Sequence, residues 1–265
     1  MLILLPPSEG KSTPKTGKSL NLDALSFPEL TAARAEIMDT LMRLCADQPD
    51  VAAKTLGLGP TQADEVKRNA TLTDVPAAPA RKVYAGVLYD ALGLDSLSSA
   101  AAARARRQLL VISGLWGALR PSDRIPAYRL GGAVTLPGIG SLASRWKALL
   151  ATTVPEAAGR GLVVDLRSGT YDAFWRPAAD VATRTVKVRV LHEHNGKRTV
   201  VSHHNKATKG HLVRTLLESG EAPRTPAAFA AALNNLGWRT ELAESDRGGR
   251  PWTLDVIVAE VATRA

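Results

Sequence analysis

The sequence predicts the α/β class (mixed α+β), a central mixed sheet with flanking helices. Three observations predict it. Short apolar runs bounded by turn residues, Leu2–Leu5, Leu109–Ser113 and residues 161–166, read as buried strands. Between them lie longer segments whose apolar residues recur at threes, fours and sevens, the spacing of helices. Strict alternation in VKVRVLHEHNGKRTVVSH, around Asn195-Gly196, marks a β-hairpin, because that dipeptide tolerates the positive φ angles of a type I′ turn.

The first strand, Leu2–Leu5, ends in a stiff corner at Pro6-Pro7 and a polar, flexible exit. Leu30, Ile37, Leu41 and Leu44 put one apolar face on a helix within residues 27–47. Residues 51–69 read as helix, tight glycine hairpin and helix, and the Pro- and Thr-rich stretch 70–80 as a loop. Residues 82–92 and 96–108 look helical and lead into Leu109–Ser113. An irregular connection, 114–130, ends in a short extended piece. Residues 141–152 form an amphipathic helix that feeds the strand 161–166. After the hairpin, 206–220 is a helix closed by Gly220. Residues 225–237 form a second one, with Thr225 as cap and Pro226 in its first turn. Residues 238–245 and 251–261 complete the chain as two strands. No repeat and no clean boundary is visible, so one domain is expected over 1–265, with a helical insertion at about 48–70.

Apolar residues make up 45% of the 265 and charged ones 22%, which is globular and not disordered composition. The lone Cys45 excludes an intrachain disulfide framework and fits a reducing compartment. The opening apolar run is too short for a signal peptide, and no later run would cross a bilayer, so a cytoplasmic chain with no membrane partner is expected. Net charge is +9. The excess is uneven: residues 104–129 hold six arginines against Asp123, and 184–214 hold eight Lys/Arg against Glu193. Such blocks suit phosphate contact, on nucleic acid or on a small molecule, and equally a solvated basic surface.

Ser-Glu-Gly-Lys-Ser, Ser8 to Ser12, has the ending of a phosphate-binding loop. A P-loop needs glycine where Leu5 stands, and Pro6 and Pro7 remove backbone donors, so that class of nucleotide hydrolase is excluded. Ser8 and Lys11 remain as one wall of an anion pocket, and Lys11, like Tyr171 below, is also a catalytic candidate. Ser113 follows a strand but lacks the glycine two residues earlier that a nucleophile elbow needs. Asp165, Arg167 and Ser168 end another strand, with Tyr171 beyond, and strand ends are where open α/β sheets hold ligands. Asp165 either serves as, or orients, a base, or it pairs with Arg167. Lys206 and Lys209 share a helix face, and one of them, if desolvated, is a candidate general base or nucleophile. Arg120, Tyr128 and Arg129 complete the candidate pocket with Ser8, Ser113 and Ser168. His192 and His194 alternate on one strand face, but His194 would sit opposite Lys197, so no metal and no cofactor is expected.

Leu56-Gly57-Leu58-Gly59 has the apolar-Gly-apolar-Gly spacing of helix–hairpin–helix modules that hold DNA. Gly57 and Gly59 would let the backbone approach a phosphate, with Lys67 and Arg68 reaching neighbouring ones. A plain helix corner is the alternative.

M-L-I-L at the start, ISGLWGALRPSD followed by YRL in 112–130, DLRSGTY from Asp165 and NKATKG from Asn205 together resemble the YaaA family of peroxide-stress proteins. The likeness runs in order along essentially the whole chain. It implies a fold distinctive to that family and a cytoplasmic role in limiting peroxide damage linked to free iron. It also implies binding of double-stranded DNA, without sequence specificity, through a helix–hairpin–helix element. The alternative is an enzyme or binding protein for an anionic, phosphorylated or nucleotide-like small molecule. Against the family pattern, the early lysine is shifted to Lys11, and the segment before the tyrosine reads Asp165-Leu166-Arg167-Ser168.

Overall fold

The computed structural model describes residues 1–167, 169–194, 197–199, 202–245 and 249–259. Strand β1 (Leu2–Leu5) leads through α1 (Thr31–Asp47), α2 (Pro49–Thr55), α3 (Ala63–Ala70), β2 (Ala78–Pro79), α4 (Ala80–Val83), α5 (Val87–Leu92) and α6 (Ser99–Gln108) to β3 (Leu109–Ser113). The short strands β4 (Gly117–Leu119), β5 (Arg124–Ile125), β6 (Thr135–Leu136) and β7 (Gly140–Ser141) precede α7 (Leu142–Ala158) and β8 (Val163–Asp165). There follow α8 (Gly169–Asp172), α9 (Ala179–Ala182), β9 (Thr185–His194), β10 (Lys197–Thr199), α10 (Ser202–Ser219), α11 (Pro226–Asn235), β11 (Thr240–Ala243) and β12 (Trp252–Ala259).

The centre is one mixed sheet in the order β11-β12-β9-β8-β1-β3-β4, with β10 against β9. The strands from β12 to β3 run parallel, and antiparallel β11 and β4 form its edges. Leu4 of β1 stands between Leu110 and Asp165. All four residues of β1 are buried, as expected for a parallel strand covered on both faces. From β1 the chain crosses to β3 on one side; from β8, on the other side, it crosses onward to β9. The connections diverge between β1 and β8. The carboxyl ends of those two strands therefore border the crevice where open sheets place ligands.

The hairpin register pairs His194 with Lys197, as the alternation predicts; Asn195-Gly196 themselves lie outside the described residues. His192 is buried and His194 exposed.

Three local expectations need correction. The exit from β1 is not a loose end: Ser12 N donates to Val83 O at 2.8 Å and Ala85 N to Gly10 O at 3.4 Å. That pairing takes the backbone groups of residues 83–85 out of the helix expected over 82–92, so α4 and α5 are separate. Residues 114–130 include two strands, because the chain doubles back and Val111 pairs with Leu119. Helix α7 continues past the expected end at 152, through Pro155, to Ala158.

On α1 the apolar face that carries Ile37 and Leu41 also carries Arg34, which is fully buried. Its guanidinium donates to four carbonyls: Trp116 O at 3.0 Å, Ala118 O and Ser26 O at 2.8 Å, and Phe27 O at 3.3 Å. Helix α10 lies tightly on α5 at Gly210. A methyl group added there would come within 2.8 Å of Ala91 Cβ and collide with the Leu88 carbonyl oxygen. Among the described residues no helix is long and apolar enough to cross a membrane.

Candidate ligand-binding site

A cavity of about 760 Å³ opens at the carboxyl ends of β1 and β8, within the size range of small-molecule sites. Pro6 and Pro7, leaving β1, form one wall, and Val188 and Val190 of β9 form another. Tyr89 closes it from α5, its hydroxyl donating to Pro6 O at 2.7 Å. Tyr171 of α8 packs on Gly132, where a Cβ would stand 2.8 Å from the phenol ring. Burial raises the Tyr171 phenol above its ordinary value, so it stays protonated.

Arg167 borders the cavity but is already committed. Its Nε and one terminal nitrogen donate to the two Asp165 carboxylate oxygens, both at 2.8 Å. Its backbone N–H adds a third bond at 3.0 Å. The guanidinium also holds Tyr171 O and Trp175 O, at 2.8 and 2.9 Å. Burial alone would raise the Asp165 carboxyl, but the charge and hydrogen bonds of Arg167 outweigh it and hold the group below its ordinary value. Of the two sequence alternatives for Asp165, the structure has the ion pair. The carboxylate fixes Arg167, which in turn fixes the turn carrying Tyr171.

Four further side chains matter to the charge of the site. Lys187 pairs with Asp172, and Arg189 forks onto Asp255 at 2.6 and 2.7 Å. Lys209 of α10 donates to Leu166 O at 3.0 Å. Burial pushes its ammonium below the ordinary value; Asp165 opposes this and Lys187 adds to it. Lys206, one turn earlier, lies exposed on the cavity border with no ion pair among the described residues.

The other candidates fall into groups. Ser8 lines the cavity, donating to Gly10 O at 2.6 Å and accepting from Ala85 N at 3.2 Å. Lys11 lies behind it, with Nζ 2.8 Å from Ser8 O and 4.1 Å from the centre of the Tyr128 ring. Burial pushes the Lys11 ammonium down to about 8, with Glu9 opposing. Tyr128 links Tyr84 and Ser113 through hydroxyl contacts of 2.9 and 2.6 Å, a buried chain and not a cavity surface. Arg129 clasps Glu9 at 2.7 Å. Arg120 is not brought to the site. Because β4 runs antiparallel to β3, Arg120 emerges at the far end of the sheet and donates to Arg107 O at 2.6 Å and Leu109 O at 3.2 Å. Ser168 lies outside the described residues. The fold thus gathers Ser8, Tyr171, Lys206 and Lys209 on one cavity, with Asp165 beneath it. Sequence reasoning missed Tyr89 and Lys187. Tyr89 sits in a helix where it reads as one more apolar-face residue, and the alternation of β9 assigns Lys187 to solvent.

At the second candidate site, α2 and α3 meet at a corner. Gly57 has φ +64° with nothing within 4 Å of an added Cβ. Asp64 and Glu65 occupy the first turn of α3, where a negative side chain competes with an outside anion. They also hold the two cations assigned to phosphates, Lys67 to Asp64 at 3.2 Å and Arg68 to Glu65 at 2.6 Å.

Comparison with known proteins agrees with the motif resemblance. The chain is 52% identical over 261 residues to a UPF0246 protein of Streptomyces coelicolor, covering 98% of this chain and all of that one. It is 40% identical over 260 residues to a UPF0246 protein of Corynebacterium efficiens, 97% of this chain and all of the relative. A UPF0246 protein of Corynebacterium glutamicum strain R shares 41% over 227 residues, 85% of this chain and 88% of that one. A family profile described as peroxide stress protein YaaA matches residues 1–241, and the chain belongs to that family.

Proposed function

We propose that this peroxide-stress family member works through the crevice between β1 and β8, which binds an anionic, phosphate-bearing small molecule. One observation carries the proposal. Five cationic residues border the cavity, and among the described residues three are matched by carboxylates: Arg167, Lys187 and Arg189. Lys206 and Lys209 are not. Two unneutralised lysines beside apolar walls favour a ligand with a charged end and a less polar body. A thermal-shift screen of nucleotides and phosphorylated metabolites tests this. Stabilisation by one ligand class, reduced by Lys206→Ala, is expected; a flat response across the screen refutes it. In the cell this binding would serve the limitation of iron-linked oxidative damage in the cytoplasm.

A second mode, binding of double-stranded DNA without sequence specificity, is favoured by the open space at Gly57 and the net charge of +9. Fluorescence anisotropy with arbitrary duplexes should show affinity falling with salt, by roughly 0.9 in log–log slope per neutralised phosphate. Absence of binding at low salt, or binding indifferent to charge reversal at Lys67 and Arg68, removes this mode.

A further inference from the structure

Lys209 and Lys206 lie on the same face of α10 but in different surroundings. The amine of Lys209 reaches inward and finds one backbone carbonyl, Leu166 O, at 3.0 Å. Of the nearest carboxylates, Asp165 holds Arg167 with both oxygens, and Asp172 holds Lys187 with one, its other oxygen lying buried without a hydrogen-bond partner among the described residues. Lys187 adds a positive neighbour. Lys206 stays exposed at the border. Residues three apart on a helix have Cβ atoms about 5–6 Å apart, so the inner amine and the outer cation could engage one small ligand at two points.

We propose that Lys209 is a reactive amine and that the cavity takes an anionic carbonyl compound, an aldehyde or ketone bearing a phosphate or carboxylate. This rests on the anion-binding role argued above, with Lys206 now holding the acidic group and Lys209 meeting the carbonyl. The lone pair of the neutral Lys209 amine attacks the carbonyl carbon and a C–N bond forms. A proton passes from nitrogen to the former carbonyl oxygen, giving a carbinolamine. Loss of that oxygen as water leaves a C=N bond, and hydrolysis by one water returns amine and carbonyl. No oxidant or reductant is consumed. The surroundings weaken the amine's hold on its proton: burial does most, Lys187 adds to it, and of the two opposing carboxylates Asp165 is paired with Arg167 and Asp172 with Lys187. The apolar walls at Pro6, Pro7, Val188 and Val190 limit water, which favours the dehydrated adduct. Lys11 is the internal competitor, also buried and lowered, but its Nζ is turned to Ser8 O and the Tyr128 ring.

The test uses the full chain with glyceraldehyde 3-phosphate, cyanoborohydride reduction and peptide mapping by mass spectrometry. Glycerol 3-phosphate, which has no carbonyl, serves as competitor and as a thermal-shift ligand. The expected result is an adduct on Lys209 that dominates the peptide map over every other lysine. Excess glycerol 3-phosphate should suppress it. Lys209→Arg should abolish that adduct, and Lys206→Ala should weaken both the adduct and the thermal shift with glycerol 3-phosphate. Label spread over exposed lysines such as Lys67, or concentrated on Lys11 with Lys209 bare, overturns the assignment. Stabilisation by glycerol 3-phosphate without a Lys209 adduct refutes the reactive amine and leaves the anion site standing. Absence of both, together with a flat screen of phosphorylated compounds, removes the site itself.

Discussion

Replacing Asp165 by Asn tests whether the carboxylate anchors Arg167 or does chemistry. The substitution keeps the shape of the side chain and removes its charge. Arg167 is 3% exposed, so its guanidinium would be left in the interior with two carbonyl acceptors and no counter-charge. Removing one member of a buried pair costs about 3–5 kcal/mol. At about 2–4 °C per kcal/mol for a chain of this size, the melting temperature should fall by about 6–20 °C. Urea unfolding followed by fluorescence gives the same loss as a lower midpoint with an unchanged slope. The pH dependence has a definite sign. The native carboxyl lies below its ordinary value, so its stabilisation is complete above an unfolded pKa of about 3.9 and is lost as pH falls through the lower native value. The gap between wild type and Asp165→Asn should therefore narrow on acidification. The double change Asp165→Leu with Arg167→Met should recover most of the loss, since a buried pair exchanged for apolar groups is often neutral. A loss under about 1 kcal/mol, with ligand binding or turnover abolished, would refute the anchoring role and return Asp165 to that of a base.

Other outcomes follow from single contacts. Burial lowers the Lys11 ammonium to about 8 from 10.5, so between those values the unfolded chain binds the extra proton and stability must rise with pH. Wild type should gain on Lys11→Met from pH 8 to 10 in denaturant titrations; a drift the other way refutes the burial. Gly210→Ala should destabilise by about 1–3 kcal/mol or more, read by calorimetry, because α10 must move off α5. Gly132→Ala should cost about 1–3 kcal/mol and alter the near-ultraviolet dichroism of Tyr171, whose ring lies 2.8 Å from the added carbon; an unchanged spectrum contradicts the packing.

Much of the sheet was legible because its signals are local. Four buried leucine and isoleucine residues make β1 readable without context, and alternation does the same for β9. The crevice was legible only in part. Ser8, Tyr171, Lys206 and Lys209 are distant in sequence, and strand ends gave the one clue that they meet. Arg120 was misplaced for the same reason: nothing local says that 117–119 turns back along β3. Asp165 and Arg167 pointed equally to pairing and to catalysis, and the pairing shows only in the fork geometry. Arg34 sits where periodicity demands an apolar residue. Its four carbonyl partners come from segments far apart in the chain, which no pattern within α1 can reveal. The break between α4 and α5 likewise comes from a remote stretch, residues 10–12.

The bare backbone at Gly210 reaches beyond stability. Helix α10 brings both lysines to the crevice and α5 brings Tyr89, so the depth to which one helix nests against the other gauges the width of the opening. Spacer side chains of graded bulk at 210 would prise the entrance wider step by step, provided the chain is first stabilised elsewhere. Selectivity for ligand girth could thus be retuned from a residue that no ligand touches.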